Sequence, residues 1–312
     1  MPNVTTYSTW YIVGRYLAAL FLALSTPLAP AAMLFWDTAS GDGAVITGGT
    51  GTWTNGAGNW NTAAGDTTWN SSAPDSAVFG GTAGTVTLGG AVTVGDMTFN
   101  TAGYTIADGG NILMLSNSTI TARADASISS VLAGSTGLIK TGVGTLILTG
   151  ANTYTGVTTI NGGTLIVTTL ANGGSSSNIG ASSSANTNLV LNGGMLRYSP
   201  GAASAVSTDR LFSVGTSGGT IDASGGWNIL FTNTGSMGFN GQSGARTLTL
   251  TGNNANDNTL AAIIGDNGGA TAVTKAGGGI WVLGGSNTYT GVTTVSGTGV
   301  LKVSSLANGG SA

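Results

Sequence analysis

The octapeptide NTYTGVTT occurs twice in this chain of 312 residues, at residues 152–159 and again at residues 287–294. Eight consecutive identities are far beyond chance, so the chain carries an internal repeat. A repeated octapeptide indicates either a repeated active site or a repeated piece of scaffold. The surrounding sequence decides between the two.

The repeat extends well beyond the octapeptide. Residues 140–175 align with residues 275–311, with one extra residue in the second copy. Apolar positions persist while their identities drift, since Leu146 corresponds to Trp281. Both copies begin with a lysine, Lys140 or Lys275. Conserved apolar positions with drifting identity are typical of a scaffold whose units bury apolar rows against their neighbours.

The composition indicates an ordered, β-rich chain. It has 55 Gly and 5 Pro, is 41% hydrophobic, and has only 6% charged residues. A disordered chain would be poor in hydrophobic residues and rich in charge. The formal net charge is −3, and no basic patch is present, so nucleic acid is not an expected partner. Cys and His are absent, which excludes disulfides, Ser-His-Asp and Cys-His catalysis, and the commonest metal ligand.

Short alternating stretches predict half-buried strands along the whole body of the chain. The segment TLTLT at 247–251 places two Leu on one face and three Thr on the other. Pairs such as Asn-Gly and Gly-Gly punctuate these stretches and provide the positive φ of tight turns. Such a pattern fits either β-sandwiches or a solenoid, and the internal repeat favours the solenoid.

The N-terminus predicts an export signal. The stretch LAALFLALSTPLAPA at 17–31 has an apolar run after Arg15, two helix-breaking prolines, and an Ala-Pro-Ala sequence suited to cleavage after Ala31. Residues 1–31 are therefore expected to be a signal peptide. An uncleaved membrane anchor over residues 17–36 is the alternative, because that stretch contains no charge.

The two repeat copies resemble a known family. KTGVGTLILTGANTYTGVTTINGGTLIV (140–167) and KAGGGIWVLGGSNTYTGVTTVSGTGVLKV (275–303) are similar to the passenger-associated transport repeat of bacterial autotransporters. The resemblance implies a right-handed parallel β-helix, exported through the inner membrane and displayed outside the outer membrane by a C-terminal barrel. No barrel sequence is present, so the chain is expected to be a fragment of a longer parent.

We therefore predict an all-β chain, a right-handed parallel β-helix (solenoid) preceded by a signal peptide. Its expected segments, in order, are the signal peptide (1–31), an N-terminal β-helix region with a Trp-rich cap (32–139), the first repeat (140–175), spacer coils (176–274), and a truncated second repeat (275–312).

The octapeptide is predicted to be scaffold, a turn followed by a strand. Asn152 and Gly156 are expected to shape the turn and Tyr154 to cover an apolar edge. Val157 and Ile160 are expected to enter the core, with the Thr side chains on the outer face. The corresponding positions in the second copy are Asn287, Tyr289 and Gly291.

Two alternatives to a purely structural role stay open. A glycan-cleaving β-helix needs only two carboxylates, and the spacer provides four aspartates for such a site: Asp209, Asp222, Asp257 and Asp266. A carbohydrate-binding module is the other alternative. Its ring platform would be the cluster Trp36, Trp53, Trp60 and Trp69, although tryptophans more often fill a core or cap a solenoid end.

The sequence thus predicts a surface-displayed or secreted autotransporter passenger segment, a structural stalk or adhesin without enzymatic activity. Its repeats are expected to assist folding and export, and a host or surface glycan or protein is the expected partner. No cofactor or metal is predicted, because no calcium-binding nonapeptide or EF-hand loop occurs.

Overall fold

The structure, a computed structural model, describes residues 31–62, 64–199 and 205–304. All regular structure in these ranges is β-strand, and the residues from 31 onward form one compact unit. None of the described residues forms a helix that could span a membrane. Apart from Ala31, the predicted signal peptide lies outside the described residues.

The strands are short because a turn interrupts the chain every few residues. The first ten are β1 (Met33–Trp36), β2 (Gly51–Trp53), β3 (Trp60–Thr62), β4 (Gly65–Thr67), β5 (Ser76–Phe79), β6 (Thr85–Leu88), β7 (Val92–Val94), β8 (Met97–Phe99), β9 (Tyr104–Ala107) and β10 (Ile112–Leu115). The next ten are β11 (Thr119–Ala122), β12 (Ala126–Ile128), β13 (Val131–Ala133), β14 (Leu138–Thr141), β15 (Thr145–Leu148), β16 (Thr158–Ile160), β17 (Thr164–Val167), β18 (Leu189–Leu191), β19 (Met195–Tyr198) and β20 (Val206–Thr208). The last nine are β21 (Ser213–Val214), β22 (Gly219–Asp222), β23 (Ile229–Phe231), β24 (Arg246–Thr251), β25 (Asp257–Leu260), β26 (Thr271–Lys275), β27 (Ile280–Leu283), β28 (Thr293–Val295) and β29 (Val300–Val303).

These strands stack into parallel sheets that follow one another around each coil. Face 1 is the sheet β21-β18-β16-β14-β11-β8-β5-β1-β3-β4. Face 2 is the sheet β2-β6-β9-β12-β15-β17-β19-β22-β24-β26-β28. Face 3, the next in coil order, contains the sheet β13-β10-β7 early in the chain and the sheet β20-β23-β25-β27-β29 later. The predicted parallel β-solenoid is therefore confirmed.

Each coil places its apolar side chains over those of the coil before it. On face 2, Leu146 pairs in register with Ala126 of the preceding coil and with Leu165 of the following coil. All three are buried, as are Leu196 and Ile221 further along the same row. Because side chains alternate along a strand, the inward residues form continuous rows and the residues between them face outward.

Coil length is not constant. Leu146 pairs with Leu165, 19 residues later, whereas Leu165 pairs with Leu196, 31 residues later. The extra residues of the long coil form a loop between β17 and β18. Insertions into such loops leave the ladder intact, because the register depends on the strands alone.

The first coil is closed by an antiparallel hairpin. Strand β3 pairs antiparallel with β1, with Trp36 opposite Trp60, and β4 pairs antiparallel with β3. The hairpin covers the edge that β1 would otherwise present to solvent. Exposed parallel edges recruit other strands, so covering the first one protects the solenoid against aggregation.

The alternation on face 2 gives a matched pair of variants. Leu146 is fully buried, whereas its neighbour Ile147 is only partly buried. We expect Leu146→Ala to lower the free energy of unfolding by about 2–5 kcal/mol, because it leaves a cavity between two stacked coils. Ile147→Ala should cost less than half as much in the same urea titration. Equal losses would contradict the inward assignment of Leu146.

Candidate functional site

The lysine that opens each repeat is buried at a turn between two faces of the solenoid and binds backbone carbonyl oxygens there. We call this arrangement the corner lock. The Lys140 side chain is fully buried, and its Nζ donates hydrogen bonds to the carbonyl oxygens of Thr141, Gly142 and Gly162 at 2.9–3.0 Å. Thr141 and Gly142 belong to its own turn and Gly162 to the turn of the next coil. Lys140 therefore joins two successive turns through backbone atoms.

Lys275 repeats the part of this arrangement that involves its own turn. It is also fully buried, and its Nζ donates to the carbonyl oxygens of Ala276 at 2.7 Å and Gly277 at 3.2 Å. Burial lowers the pKa of Lys275 below its ordinary value. Burial likewise lowers the pKa of Lys140 to about 8, although the carboxylate of Asp125 opposes the shift. Both lysines thus bind the carbonyl oxygens of their own turn, and Lys140 also binds the turn of the next coil.

The repeat asparagine connects three coils. Asn152 is fully buried; its Oδ1 accepts a hydrogen bond from the Leu132 N–H at 2.8 Å, and its Nδ2 donates to the Asn178 carbonyl oxygen at 2.7 Å. In the second copy, Asn287 Oδ1 accepts from the Ile264 N–H at 2.9 Å. The asparagine therefore replaces ladder bonds at a corner where no regular strand runs.

The repeat tyrosine lies deeper than the sequence suggested. Tyr154 is fully buried rather than at an edge, and its hydroxyl shares a hydrogen bond of 2.7 Å with Thr158 Oγ1. Tyr289 and Thr293 repeat this bond at 2.7 Å. Burial raises the pKa of Tyr154, so its hydroxyl stays protonated.

Two expectations within the octapeptide are wrong. Val157 is 38% exposed instead of entering the core, and Thr158 is fully buried instead of facing outward. The chain turns a corner just before β16, so the inward side of the strand begins at Thr158, whose Oγ1 donates to the Ile179 carbonyl oxygen. Ile160 enters the core as predicted.

The repeat glycine is required by close approach between coils. A Cβ on Gly156 would lie 1.8 Å from the carbonyl oxygen of Thr136, and one on Gly291 would lie 2.3 Å from that of Thr271. Neither glycine has a positive φ. The preference for glycine here comes from the distance between backbones.

The two copies occupy different faces of the solenoid. In the first copy, Lys140 lies on face 1 and the next strand, β15, on face 2. In the second, Lys275 lies on face 2 and the next strand, β27, on face 3. The repeat is therefore a unit of strand, turn and buried lysine that occurs on different faces of the solenoid. Its two copies do not present one common surface to a ligand.

The aspartates considered for glycan cleavage each have their own structural partner. Asp222, at the end of β22, forms an ion pair of 2.7 Å with Arg197 Nε, and Asp257, on face 3, forms one of 2.7 Å with Lys302 Nζ. Asp209 Oδ1 accepts a hydrogen bond from the Gly173 N–H at 2.7 Å.

Asp266 accepts hydrogen bonds from the backbone N–H groups of Thr271 and Thr290 and from the Thr290 hydroxyl. Burial raises the pKa of Asp266, but these hydrogen bonds outweigh it and leave the pKa below its ordinary value. A glycosidase needs one carboxyl group with a raised pKa to protonate the leaving group. Asp266 therefore does not have the properties of that acid.

The four N-terminal tryptophans form one buried aromatic cluster. Trp36, Trp53, Trp60 and Trp69 are at most 1% exposed, with ring centroids 4.6–5.2 Å apart. Glycan stacking requires an open ring face, and none of these four rings offers one, since they fill the core beneath the hairpin. Trp227, which the sequence analysis did not single out, is 42% exposed.

Sequence reasoning missed two further buried cations. The Arg210 guanidinium donates to five backbone carbonyl oxygens and one hydroxyl of residues 171–182, which fixes the loop of the long coil. The Arg246 guanidinium donates to carbonyl oxygens of residues 214–244 and lies 4.8 Å from the Phe239 ring centroid. Isolated arginines in polar stretches give no sequence signal of burial.

Comparison with known proteins agrees with this architecture. Residues 138–167 and 273–303 match the model of the passenger-associated-transport repeat. The chain thus carries two such repeats on its parallel β-solenoid, and the predicted resemblance to autotransporter passengers is confirmed. A segment of 158 residues, 50% of this chain, is 47% identical to the adhesin BmaC autotransporter of Brucella suis biovar 1 (strain 1330). That segment spans 4% of the length of the relative. No solved structure matches the chain significantly.

The corner lock predicts the effect of Lys140→Met. This variant leaves three carbonyl oxygens without their donor, so we expect it to lower the free energy of unfolding at pH 7 by about 2–4 kcal/mol. A second effect concerns pH. The pKa of Lys140 is about 8 in the folded chain and 10.5 ordinarily, so between these values the unfolded chain binds more protons. The stability of the wild type relative to Lys140→Met should therefore rise from pH 8 to pH 10.5.

Lys302→Met is the matched control. Lys302 forms its ion pair with Asp257 at the surface, and such pairs contribute less than about 1 kcal/mol. Urea titrations of the three proteins at pH 7 and at steps up to pH 10.5 measure both effects. A Lys140→Met variant as stable as the wild type, or a stability difference that does not change with pH, would contradict the lock.

The close approach of the coils predicts a second loss. Gly156→Ala should lower the free energy of unfolding by about 2–3 kcal/mol, because two coils must separate to admit the methyl group. Gly226→Ala is the control, since a Cβ there has no atom within 4 Å. Calorimetric melting of both variants decides. Equal melting temperatures of the Gly156→Ala and Gly226→Ala proteins would show that the space at Gly156 admits a methyl group.

Proposed function

We propose that the chain is an exported autotransporter passenger segment that acts at the cell surface as a stalk with adhesive properties and without enzymatic activity. The observation that carries this proposal is the parallel ladder of face 2, which continues through 11 strands from β2 to β28, in a solenoid that includes two passenger-associated transport repeats. The name of the relative, an adhesin autotransporter, supports the same reading.

A stalk has to be stable in sections and hold exposed residues at fixed spacing. In a solenoid each coil contacts mainly its neighbours, so stability accumulates coil by coil. The buried locks at Lys140 and Asn152 bind coil to coil through backbone atoms. The outer faces carry polar side chains in rows, such as Thr121 over Thr141 with a hydroxyl separation of 2.8 Å.

Two features of the chain suit the export that this function requires. A chain without Cys needs no oxidation step after crossing a membrane. The repeat asparagine receives a bond from the coil before it and donates one to the coil after it. A coil that carries the repeat asparagine therefore satisfies a backbone N–H of the preceding coil as it folds. We propose that the repeats assist folding during export in this way.

Adhesion and glycan cleavage can be distinguished with one preparation of the full chain. Latex beads coated with the chain should adhere to cultured epithelial cells in a saturable manner, and excess soluble chain should compete. Beads coated with heat-unfolded chain are the control, because an adhesive surface depends on the ordered faces. The same preparation should release no reducing ends from a panel of polysaccharides.

Two results would count against the proposal. Adherence equal to that of the heat-unfolded control would remove the adhesive function. Reducing-end release that disappears in Asp222→Asn or Asp266→Asn would instead establish an enzyme. Such a loss would indicate a catalytic carboxylate, which a stalk does not need.

A further inference from the structure

The loop after β1 and the hairpin β3–β4 bring three carboxylates together at the first coil. One carboxylate oxygen from each of Asp37, Asp42 and Asp66 lies within 4.8 Å of those from the other two. Asp37 is buried, and the other two are exposed. Oxygens bound to one Ca²⁺ at about 2.3–2.6 Å lie within about 5 Å of each other, so this spacing suits a shared ion.

A second observation comes from Asn61, whose fully buried carboxamide lies in this cluster. Its Nδ2 faces four oxygens: those of Asp37 Oδ2 at 3.1 Å, Asp66 Oδ1 at 3.3 Å, and the carbonyls of Gly43 at 2.6 Å and Val45 at 3.4 Å. Its Oδ1 is buried and has no hydrogen-bond partner. An amide nitrogen has two hydrogens, so four acceptors exceed what it can satisfy, while the oxygen of the same group is unused.

We propose that this cluster is a calcium site. Rotation of the Asn61 carboxamide by 180° exchanges the two atoms and places Oδ1 among the surrounding oxygens. The ligands would then be carboxylates of Asp37, Asp42 and Asp66, the Asn61 amide oxygen, and the carbonyl oxygens of Gly43 and Val45. Six oxygens of mixed carboxylate, amide and carbonyl type are the donor set that Ca²⁺ prefers.

The remaining hydrogen bonds of the cluster leave these oxygens free. Asp37 Oδ1 accepts from the N–H of Ala39 and from the N–H and hydroxyl of Thr47, which fixes that carboxylate and leaves Oδ2 toward Asn61. Asp66 Oδ2 accepts from the Gly41 N–H, which leaves Oδ1 toward Asn61. Each buried or turn-bound carboxylate thus keeps one oxygen for a cation.

Calcium would hold the hairpin β3–β4, which caps the solenoid, against the first coil. The ligands come from two segments, the loop at residues 37–45 and the hairpin at residues 61–66. The hairpin covers the tryptophan cluster, and Trp60 directly precedes Asn61. Binding at both segments therefore keeps the hairpin packed on the first coil. The charge of the ion also offsets the repulsion among the three neighbouring carboxylates.

Calorimetric titration of the full chain with CaCl₂, after treatment with a chelator, tests the site. We expect one ion per chain with a dissociation constant on the order of 0.1 mM, together with a melting temperature raised by several degrees at 10 mM Ca²⁺. Asp66→Asn and Asp42→Asn should weaken binding at least tenfold. Both residues are exposed, so circular dichroism should show both variants folded.

Asp108→Asn is the matched control, because Asp108 is an exposed turn aspartate outside the cluster. It should bind Ca²⁺ as the wild type does. A second readout is Tb³⁺ luminescence excited through tryptophan, which should appear in the wild type and be displaced by Ca²⁺. No saturable heat up to 10 mM CaCl₂, or equal binding by wild type and both cluster variants, would overturn the site. Equal affinity for Mg²⁺ would overturn the choice of calcium.

Discussion

The parallel backbone ladder between successive coils is the constraint on which the rest of the structure depends. Once each strand bonds to its counterparts one coil before and one coil after, side chains along the strand alternate between interior and solvent without further choice. Leu146, Leu165 and Leu196 stack because the register places them above one another. The ladder satisfies backbone groups only along the strands, so the corners need other partners.

The corners obtain those partners from a small set of buried polar side chains. Only 6% of the chain is charged, yet Lys140, Lys275, Arg210 and Arg246 are all buried, and each directs its cation at backbone carbonyl oxygens. A buried cation is costly unless its donors are satisfied, and a turn offers several carbonyls at once. Asn152 performs the same task with a neutral amide, which accepts and donates within one group. This explains why the repeat preserves Lys and Asn while its apolar residues drift.

Sequence patterns predicted the strands and the fold class because alternation and Gly-rich turns are local signals. They failed where the chain turns a corner: Val157 and Thr158 exchange their expected sides because alternation restarts there. They also missed Arg210 and Asn61, whose partners lie up to 39 residues away along coils of variable length. The tryptophan cluster shows the same limit, since composition alone left a glycan platform and a buried cap both open until packing placed all four rings inside.

The different placement of the two repeats bears on the proposed function. The same octapeptide follows face 2 in the first copy and face 3 in the second, so its outward residues point in different directions around the solenoid. The groups that the two repeat copies share, Lys, Asn, Tyr and Gly, act inward or between coils, whereas an adhesive surface needs outward residues in a fixed direction. Under the proposed adhesive function, specificity would therefore lie in the non-repeated outward residues, such as those of the long coil ordered by Arg210. The repeats then provide coil geometry that is independent of the surface built on it.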